Sequence, residues 1–554
     1  MMRFVGVASA GCLALLIVAC DSGAKDLTHE KQLASLSLIS EENLQAHVRY
    51  LADDTLGGRE AGEAGYDISA EYVVEQFAAM GLTAAGSDAW YQPVSLRGYK
   101  TKEGSAELLV HRSVGDEAFA YREDFSIVPD AVRNSSSVRA EVVYVGYGVH
   151  APEFGYSDYD GIDVAGKIVA VFSGAPDTIE GSEGSYYSSS RTKSLEAVAR
   201  GAVGSLSLRS QKSEERRPWE DLKARIGKHE RKTWINAAGQ AAGYYPELRG
   251  GASLTIEAAE RVFALSPLSF YEAQQGAVQS TPSSVALGVE VTLAAHSEHS
   301  TIKSSNIVGM VRGTDSELAD EFVVYTAHLD HVGIRDADDE NEVDRIHNGM
   351  YDNAMGVALM LETARAIAAA PLKRSVLFIA LTAEESGLLG SDYFVNNPTV
   401  AIESVVANIN LDMPLFLYPV ADLVAFGSQH SSLQAIVKAS SNAEGFTFSP
   451  DPVPEERLFV RSDQYSFVRA GIPSVYLVTG FNSTDEDVDG ETIYRDHIEN
   501  HYHKPSDDLM RPVDWDSAVR FARAHTRMGQ AVANERERPT WNEGDFFAER
   551  FTRF

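Results

Sequence analysis

Three short apolar runs that each stop at a metal-grade side chain constrain this chain more than any other feature. Residues 322–326 lead to His328 and Asp330, residues 375–381 end just before Glu384 and Glu385, and residues 405–411 end at Asp412. Apolar runs of this length separated by helical segments read as parallel strands joined by crossovers, and ligands collect beyond the carboxyl ends of such strands. The expected fold class is therefore α/β, with a mainly parallel central sheet flanked by helices. Taken singly, His328-x-Asp330 reads as a satisfied polar pair and Glu384-Glu385 as a solvated face. The two glutamates, however, follow a fully apolar run and precede Ser-Gly, while Asp412 ends another such run and precedes Met413-Pro414. Unpaired carboxylates are costly to bury, so several at neighbouring strand ends require a shared counter-charge. A metal centre supplies it.

The cysteines restrict what can hold such a metal. Cys12 and Cys20 both lie in the first 20 residues of a 554-residue chain, so the body is expected to contain no disulfide and no thiolate zinc cluster. Any ligands must be His, Asp or Glu. The opening MMRFVGVASAGCLALLIVACDSG reads as an export signal, and Ile17-Val18-Ala19-Cys20 resembles the bacterial lipobox. That resemblance implies removal of residues 1–19, acylation of Cys20 and a membrane-anchored lipoprotein facing the periplasm or cell exterior. The alternatives are an ordinary signal peptide or a short membrane anchor. No later stretch is long and apolar enough to span a bilayer. A formal charge of −32 argues against nucleic acid as a partner, because such binding relies on Lys and Arg neutralising phosphates.

The length favours two or more domains. Residues 20–98 read as a tether and the start of the catalytic domain, with a helix capped by Ser40 and a second ended by Gly81. The LGGREAGEAG stretch at 56–65 between them reads as a connector. Residues 99–298 change to short β-like runs and read as an inserted β-rich region. Within it GYSDYDGIDVAGKIVAVFSG resembles a protease-associated domain, at about 138–210. The locally basic stretch 209–232 reads as a solvated helical face. Residues 299–554 alternate strand and helix, closing with a helix over 515–532.

The segments HLDH, NGMYDNAMGVA, ALTAEESGLLGS, ANINLDM, RSDQYSF and YHKPSDD follow one another between residues 328 and 508. In this order they resemble the di-zinc aminopeptidases of metallopeptidase family 28. The resemblance implies two zinc ions: His328 and Asp412 hold one, Glu385 and His503 the other, and Asp352 bridges them. It further implies that Asp330 orients the His328 imidazole, that Glu384 is the general base for a water shared by the ions, and that Tyr502 donates to the oxyanion. Arg461 would contact substrate, or alternatively pair with nearby acids. Where close relatives have Ser-Asp-His, this chain has Ser462-Asp463-Gln464.

The function implied is an exopeptidase removing N-terminal residues from peptides. Alternatives are a carboxypeptidase or dipeptidase, a glutaminyl cyclase, or a noncatalytic receptor-like binding protein; nothing in the sequence specifies an oligomeric state. His331 and His347 are expected to decorate a loop, and His497 and His501 a helix surface. The acidic loop at 336–344 reads as solvated. Asp485, Asp487, Asp489 and Asp496 are spaced as in a calcium-binding EF-hand loop, but with Asp where that motif has Glu. Calcium is therefore the lesser expectation.

Overall fold

The computed structural model describes residues 30–113, 115–335 and 344–551. The expected signal peptide, Cys20 and residues 336–343 of the acidic loop lie outside the described residues. At the centre of the C-terminal half, the strands Ser375–Leu381, Phe322–His328, Val405–Asn410 and Ser474–Thr479 run side by side and parallel. Antiparallel strands flank them, Val285–Val311 next to Ser375–Leu381 and Asp422–Phe426 next to Ser474–Thr479.

The parallel strands are apolar on both faces because helices cover both. Val323, Tyr325 and Ala327 pack with residues of helices Gly356–Ala368 and Trp515–Asn534, whereas Val324 packs with Leu377, Ile379 and Phe394 on the other side. Alternate residues thus feed two cores, and the layered α/β class implied by the apolar runs is the one observed. Register then places the site. His328 lies opposite Leu381 and Thr326 opposite Asn410, so three successive loops leave the sheet side by side at one edge.

Helix ends follow local chemistry. Ser40 accepts from the Asn43 amide at 3.2 Å to cap Glu41–Leu51, and Asp514 accepts from the Ser517 amide at 2.9 Å to cap Trp515–Asn534. Gly81, at φ +80°, turns the chain away after helix Ala64–Ala79.

A second, β-rich sheet lies in the 99–298 region and has its own core, including Leu108, Val110, Phe125, Leu206, Phe263 and Phe270. One strand of 27 residues, Val285–Val311, belongs to both sheets. Its first part pairs with Glu107–Arg112 and Ser135–Tyr144, its last part with Tyr91–Thr101 and Ser375–Leu381. The expected boundary at 298/299 falls inside this strand.

The basic stretch 209–232 is not one solvated helical face. Pro218 separates two short helices, Gln211–Arg216 and Trp219–Lys223, and the chain then enters the strand Arg231–Trp234, which pairs with Tyr91–Thr101. Its cations are taken up by acids, Arg209 by Glu214 at 2.7 Å and Arg216 by Glu456 at 2.7 Å. The C-terminal segment straps the two sheets together: Asp545 accepts from His430 at 2.7 Å, and Arg550 donates to Glu153 at 2.7 Å and to the Tyr187 hydroxyl at 3.0 Å.

Candidate metal centre

His328 is the last residue of its strand, and its Nδ1–H donates to the Asp330 backbone carbonyl at 3.0 Å. That bond fixes the ring so that Nε2 faces Asp352 Oδ1 and Asp412 Oδ1, each at 3.2 Å. Asp412 stands two residues beyond its strand, and its other oxygen accepts the Ser462 hydroxyl, which itself accepts from Asn410 Nδ2 at 2.7 Å. Asp352 enters from the irregular turn that precedes helix Gly356–Ala368, and its peptide bond to Asn353 is cis. Asp507, fully buried, accepts the Tyr351 and Asp352 amides at 3.1 Å and so holds this turn in place.

On the other side of Asp352, His503 Nε2 lies 3.1 Å from Asp352 Oδ2 and 3.0 Å from Glu385 Oε2. His331 Nδ1 lies 2.7 Å from Glu385 Oε1 and 3.8 Å from Asp352 Oδ2. Two clusters result, His328–Asp352–Asp412 and His331–Asp352–Glu385–His503, with the candidate ligand atoms of each within 4.8 Å of one another. Asp352 turns one oxygen to each cluster. This is the geometry a carboxylate adopts when it bridges two ions. Ala383 and Met413, beside the clusters, and His503, within one, have φ of 53°, 42° and 56°, a conformation that costs energy outside glycine and gathers at functional sites.

The clusters fit zinc on their own chemistry. Their donors are imidazole nitrogens and carboxylate oxygens, the set zinc takes when no thiolate is present. Although two carboxylates approach His503 Nε2 closely, neither lies along its N–H axis, so the nitrogen makes no hydrogen bond. Groups converging on a common ion do this. The electrostatics ask for a cation as well. Burial disfavours a charged His328, but Asp412 and Glu384 outweigh it and hold its pKa well above the usual imidazole range. Burial likewise opposes charge on His503, yet Glu385 and Asp352 push its pKa up to about 10. Without a metal, the imidazoles themselves must become the counter-ions of the carboxylates.

The structure brings His328, Asp352, Glu385, Asp412 and His503 together, with Glu384 beside them. Glu384 is half-buried, and its pKa is raised well above the ordinary value by burial and by Asp412 and Glu385, against the pull of His328. Tyr502 packs tilted against His503 with ring centroids 3.9 Å apart; burial, and then Asp352 and Glu385, raise the pKa of its hydroxyl well above the usual range, so it stays a donor. Arg461 donates to Glu456 Oε2 at 3.0 Å, the acid-pairing alternative, while still lying close enough to Tyr502 and Glu384 to feel their charge.

Four expectations are corrected. The Asp330 carboxylate does not orient the His328 ring; its backbone carbonyl does. The carboxylate instead accepts the Glu384 and Glu385 amides, at 3.1 and 3.4 Å, and so positions Glu384 and a cluster member together. His331 is no loop decoration but a fully buried member of the second cluster, and the HLDH segment carried that signal. His497 is buried against Tyr351 rather than on a helix surface, and burial pushes its pKa down to about 3. The 56–65 stretch is not a simple connector: Arg59, 1% exposed, donates to the carbonyls of Leu51, Leu329, Asn348 and Gly349 and braces the two segments that carry His328, His331 and Asp352. Arginine bonds to backbone carbonyls leave no signature in sequence.

The EF-hand-like acids do not converge. Asp489 caps helix Gly490–Asn500 with both oxygens on Thr492, and an Asp485 oxygen accepts the Asp487 amide. Among the described residues, the two clusters around Asp352 are the groups able to hold a metal.

Fold and clusters together define an α/β domain whose sheet edge gathers two candidate zinc-binding clusters. More specifically, residues 306–528 match Peptidase family M28. The chain is 28% identical over 208 residues to aminopeptidase YwaD of Bacillus subtilis, covering 37% of this chain and 40% of that protein. It is 30% identical over 138 residues to probable leucine aminopeptidase 2 of Aspergillus fumigatus, covering 24% of this chain and 27% of that protein. The match thus spans less than half the length of these curated relatives. A solved aminopeptidase from Aneurinibacillus sp. strain AM-1 shares the fold over 91% of this chain and 96% of its own, with a TM-score of 0.52 and 19% identity.

Proposed function

We propose that the protein is a zinc aminopeptidase that removes N-terminal residues from peptides, using two zinc ions held by His328 and Asp412, by Glu385 and His503, and by Asp352 between them. The observation that carries this reading is Glu384, a carboxylate of raised proton affinity beside two clusters that share one aspartate. Bound zinc would acidify water and polarise the scissile carbonyl. Glu384 takes the proton of the attacking water and returns it to the leaving amine, which its raised proton affinity suits. Tyr502 keeps its hydroxyl hydrogen and donates to the oxyanion as the carbonyl becomes tetrahedral. The Asp330 carboxylate fixes the backbone of Glu384 and Glu385, so base and cluster hold one geometry through the reaction.

In the same reading, the 138–210 part of the β-rich region is a protease-associated domain, Cys20 is acylated, and the enzyme acts on peptides outside the cytoplasm from a lipid anchor. The sequence features at residues 1–20 and 155–174 support this.

A panel of aminoacyl p-nitroanilides, assayed with and without a chelator, tests the activity. Hydrolysis that the chelator removes and zinc restores is expected. Protein carrying two zinc ions yet inert toward every member of the panel would refute it.

A further inference from the structure

Beside the Glu385–His503 cluster lies a cleft of about 300 Å³, whose lining includes Glu60, Lys232, His331, Arg335 and Glu385. Three distant segments meet there: the 56–65 stretch, the strand Arg231–Trp234 added to the sheet edge, and the loop that follows His331. Glu60 Oε1 accepts from Lys232 Nζ at 2.8 Å and Oε2 from Arg335 at 2.8 Å. One carboxylate therefore faces two cations, and at this end of the cleft the trio keeps one positive charge, while Arg231 and the acids Glu230, Asp330 and Glu385 line the rest. Lys232 is held further by the Ala61 carbonyl at 3.0 Å, and its side chain is only 7% exposed.

The trio is a built feature. Gly333, at φ +81°, lies so close that an added Cβ would stand 2.7 Å from both Cβ and Oε2 of Glu60, so the glutamate rests on bare backbone. An ammonium group has three N–H donors and a guanidinium five. Among the described residues, Glu60 and the Ala61 carbonyl occupy two on Lys232, and Glu60 occupies one on Arg335. Donors on partly buried cations bind anions more strongly than surface charges do.

We propose that this cleft binds a carboxylate of the substrate, with Lys232 and Arg335 as specificity-determining residues. The proposal rests on the aminopeptidase reading and deepens it. Because the cleft shares His331 and Glu385 with the second cluster, a peptide cleaved there reaches it within one or two residues at roughly 3.4 Å each. The carboxylate is either the C-terminus of a di- or tripeptide or an acidic side chain next to the scissile bond.

The test uses the full, zinc-loaded protein and kcat/KM for Leu-Gly against Leu-Gly-amide, and for Leu-Glu-amide against Leu-Gln-amide. At least one carboxylate-to-amide ratio is expected near tenfold, about 1.4 kcal/mol. A raised first ratio identifies the C-terminus, a raised second ratio the side chain. Lys232→Met and Arg335→Gln should each lower that ratio about fivefold, and Lys232→Arg should largely keep it. Each ratio comes from one preparation, so loss of folded protein cancels. Two ratios near one in the parent, or ratios unmoved by both neutralising variants, overturn the proposal. If none of the four peptides is cleaved, the aminopeptidase reading fails. The cleft is then judged by calorimetry, where tighter binding of Leu-Glu-amide or Leu-Gly than of its amide counterpart, lost in Lys232→Met, upholds it and equal binding overturns it.

Discussion

The metal centre and the β-rich region both bury charge, and they resolve it in opposite ways. In the β-rich region Asp158, 1% exposed, accepts the Tyr147 and Val149 amides at 3.0 Å each and the Tyr156 hydroxyl at 2.7 Å. Burial raises its pKa to about 6, and these three local donors then limit the rise. Gly146 makes the arrangement possible, because a Cβ there would stand 2.1 Å from Asp158 Oδ1. Nearby, Lys193 donates to the Phe172 carbonyl at 2.8 Å. In the metal centre, Asp352, Glu385 and Asp412 instead face one another and histidines whose nitrogens cannot all be satisfied by protein. A buried acid answered by its own neighbours in sequence is structural, whereas buried acids that converge on one another and on imidazoles form a cradle for a cation.

The sharpest test of the contrast is Glu384→Gln, which should lower kcat about 10³-fold while metal analysis finds the zinc content unchanged. Zinc lost in that variant would place Glu384 among the ligands and redraw the cluster. Next, Asp352→Asn removes the anionic oxygens both clusters share, so zinc per chain should fall from two to below one. Retention of both ions by that variant would break the bridging geometry. Asp158→Asn, by comparison, should leave zinc and kcat/KM intact and cost about 1–3 kcal/mol in urea unfolding, the price of an imperfectly matched buried acceptor.

A pH slope is expected from Lys193, whose pKa burial lowers from 10.5 to about 7. Below pH 7 the amine is protonated in folded and unfolded chains alike. Between about 7 and 10.5 the unfolded chain carries the extra proton, so this residue makes stability rise with pH across that window. Lys193→Met should flatten the rise when melting temperature is followed from about pH 7 to 9.5 in chelated protein, where the metal centre adds the same background to both. A slope unchanged by the substitution would show that Lys193 is solvated enough to titrate normally.

The sequence reveals the sheet because its strands are apolar on both faces, as at Val323 to Ala327, and it reveals the metal centre because His328, Glu385 and Asp412 sit where those strands stop. His331 was within reach of the same reasoning, three residues after His328 in one short segment. Other features were beyond it. Whether Asp330 serves through its carbonyl or its carboxylate is decided by backbone geometry after the strand, and both roles have the same letter in the sequence. Arg59 and Lys232 act on residues 170 or more positions away, on Leu329 and on Glu60 respectively, and no local pattern announces such partners. The stretch 209–232 shows the reverse error: a run of cations suggests a helix face until Pro218 and the β-branched and aromatic end at Thr233-Trp234 redirect it into a strand.

Val285–Val311 has a bearing on how the molecule comes apart. Backbone bonds of a single strand complete both sheets, so neither sheet releases that strand without the other losing it too. Amide exchange at Val291, in the β-rich sheet, and at Val308, in the peptidase sheet, should therefore report one common opening event. The β-rich region would behave less like a detachable module than like the far end of a single cooperative spine.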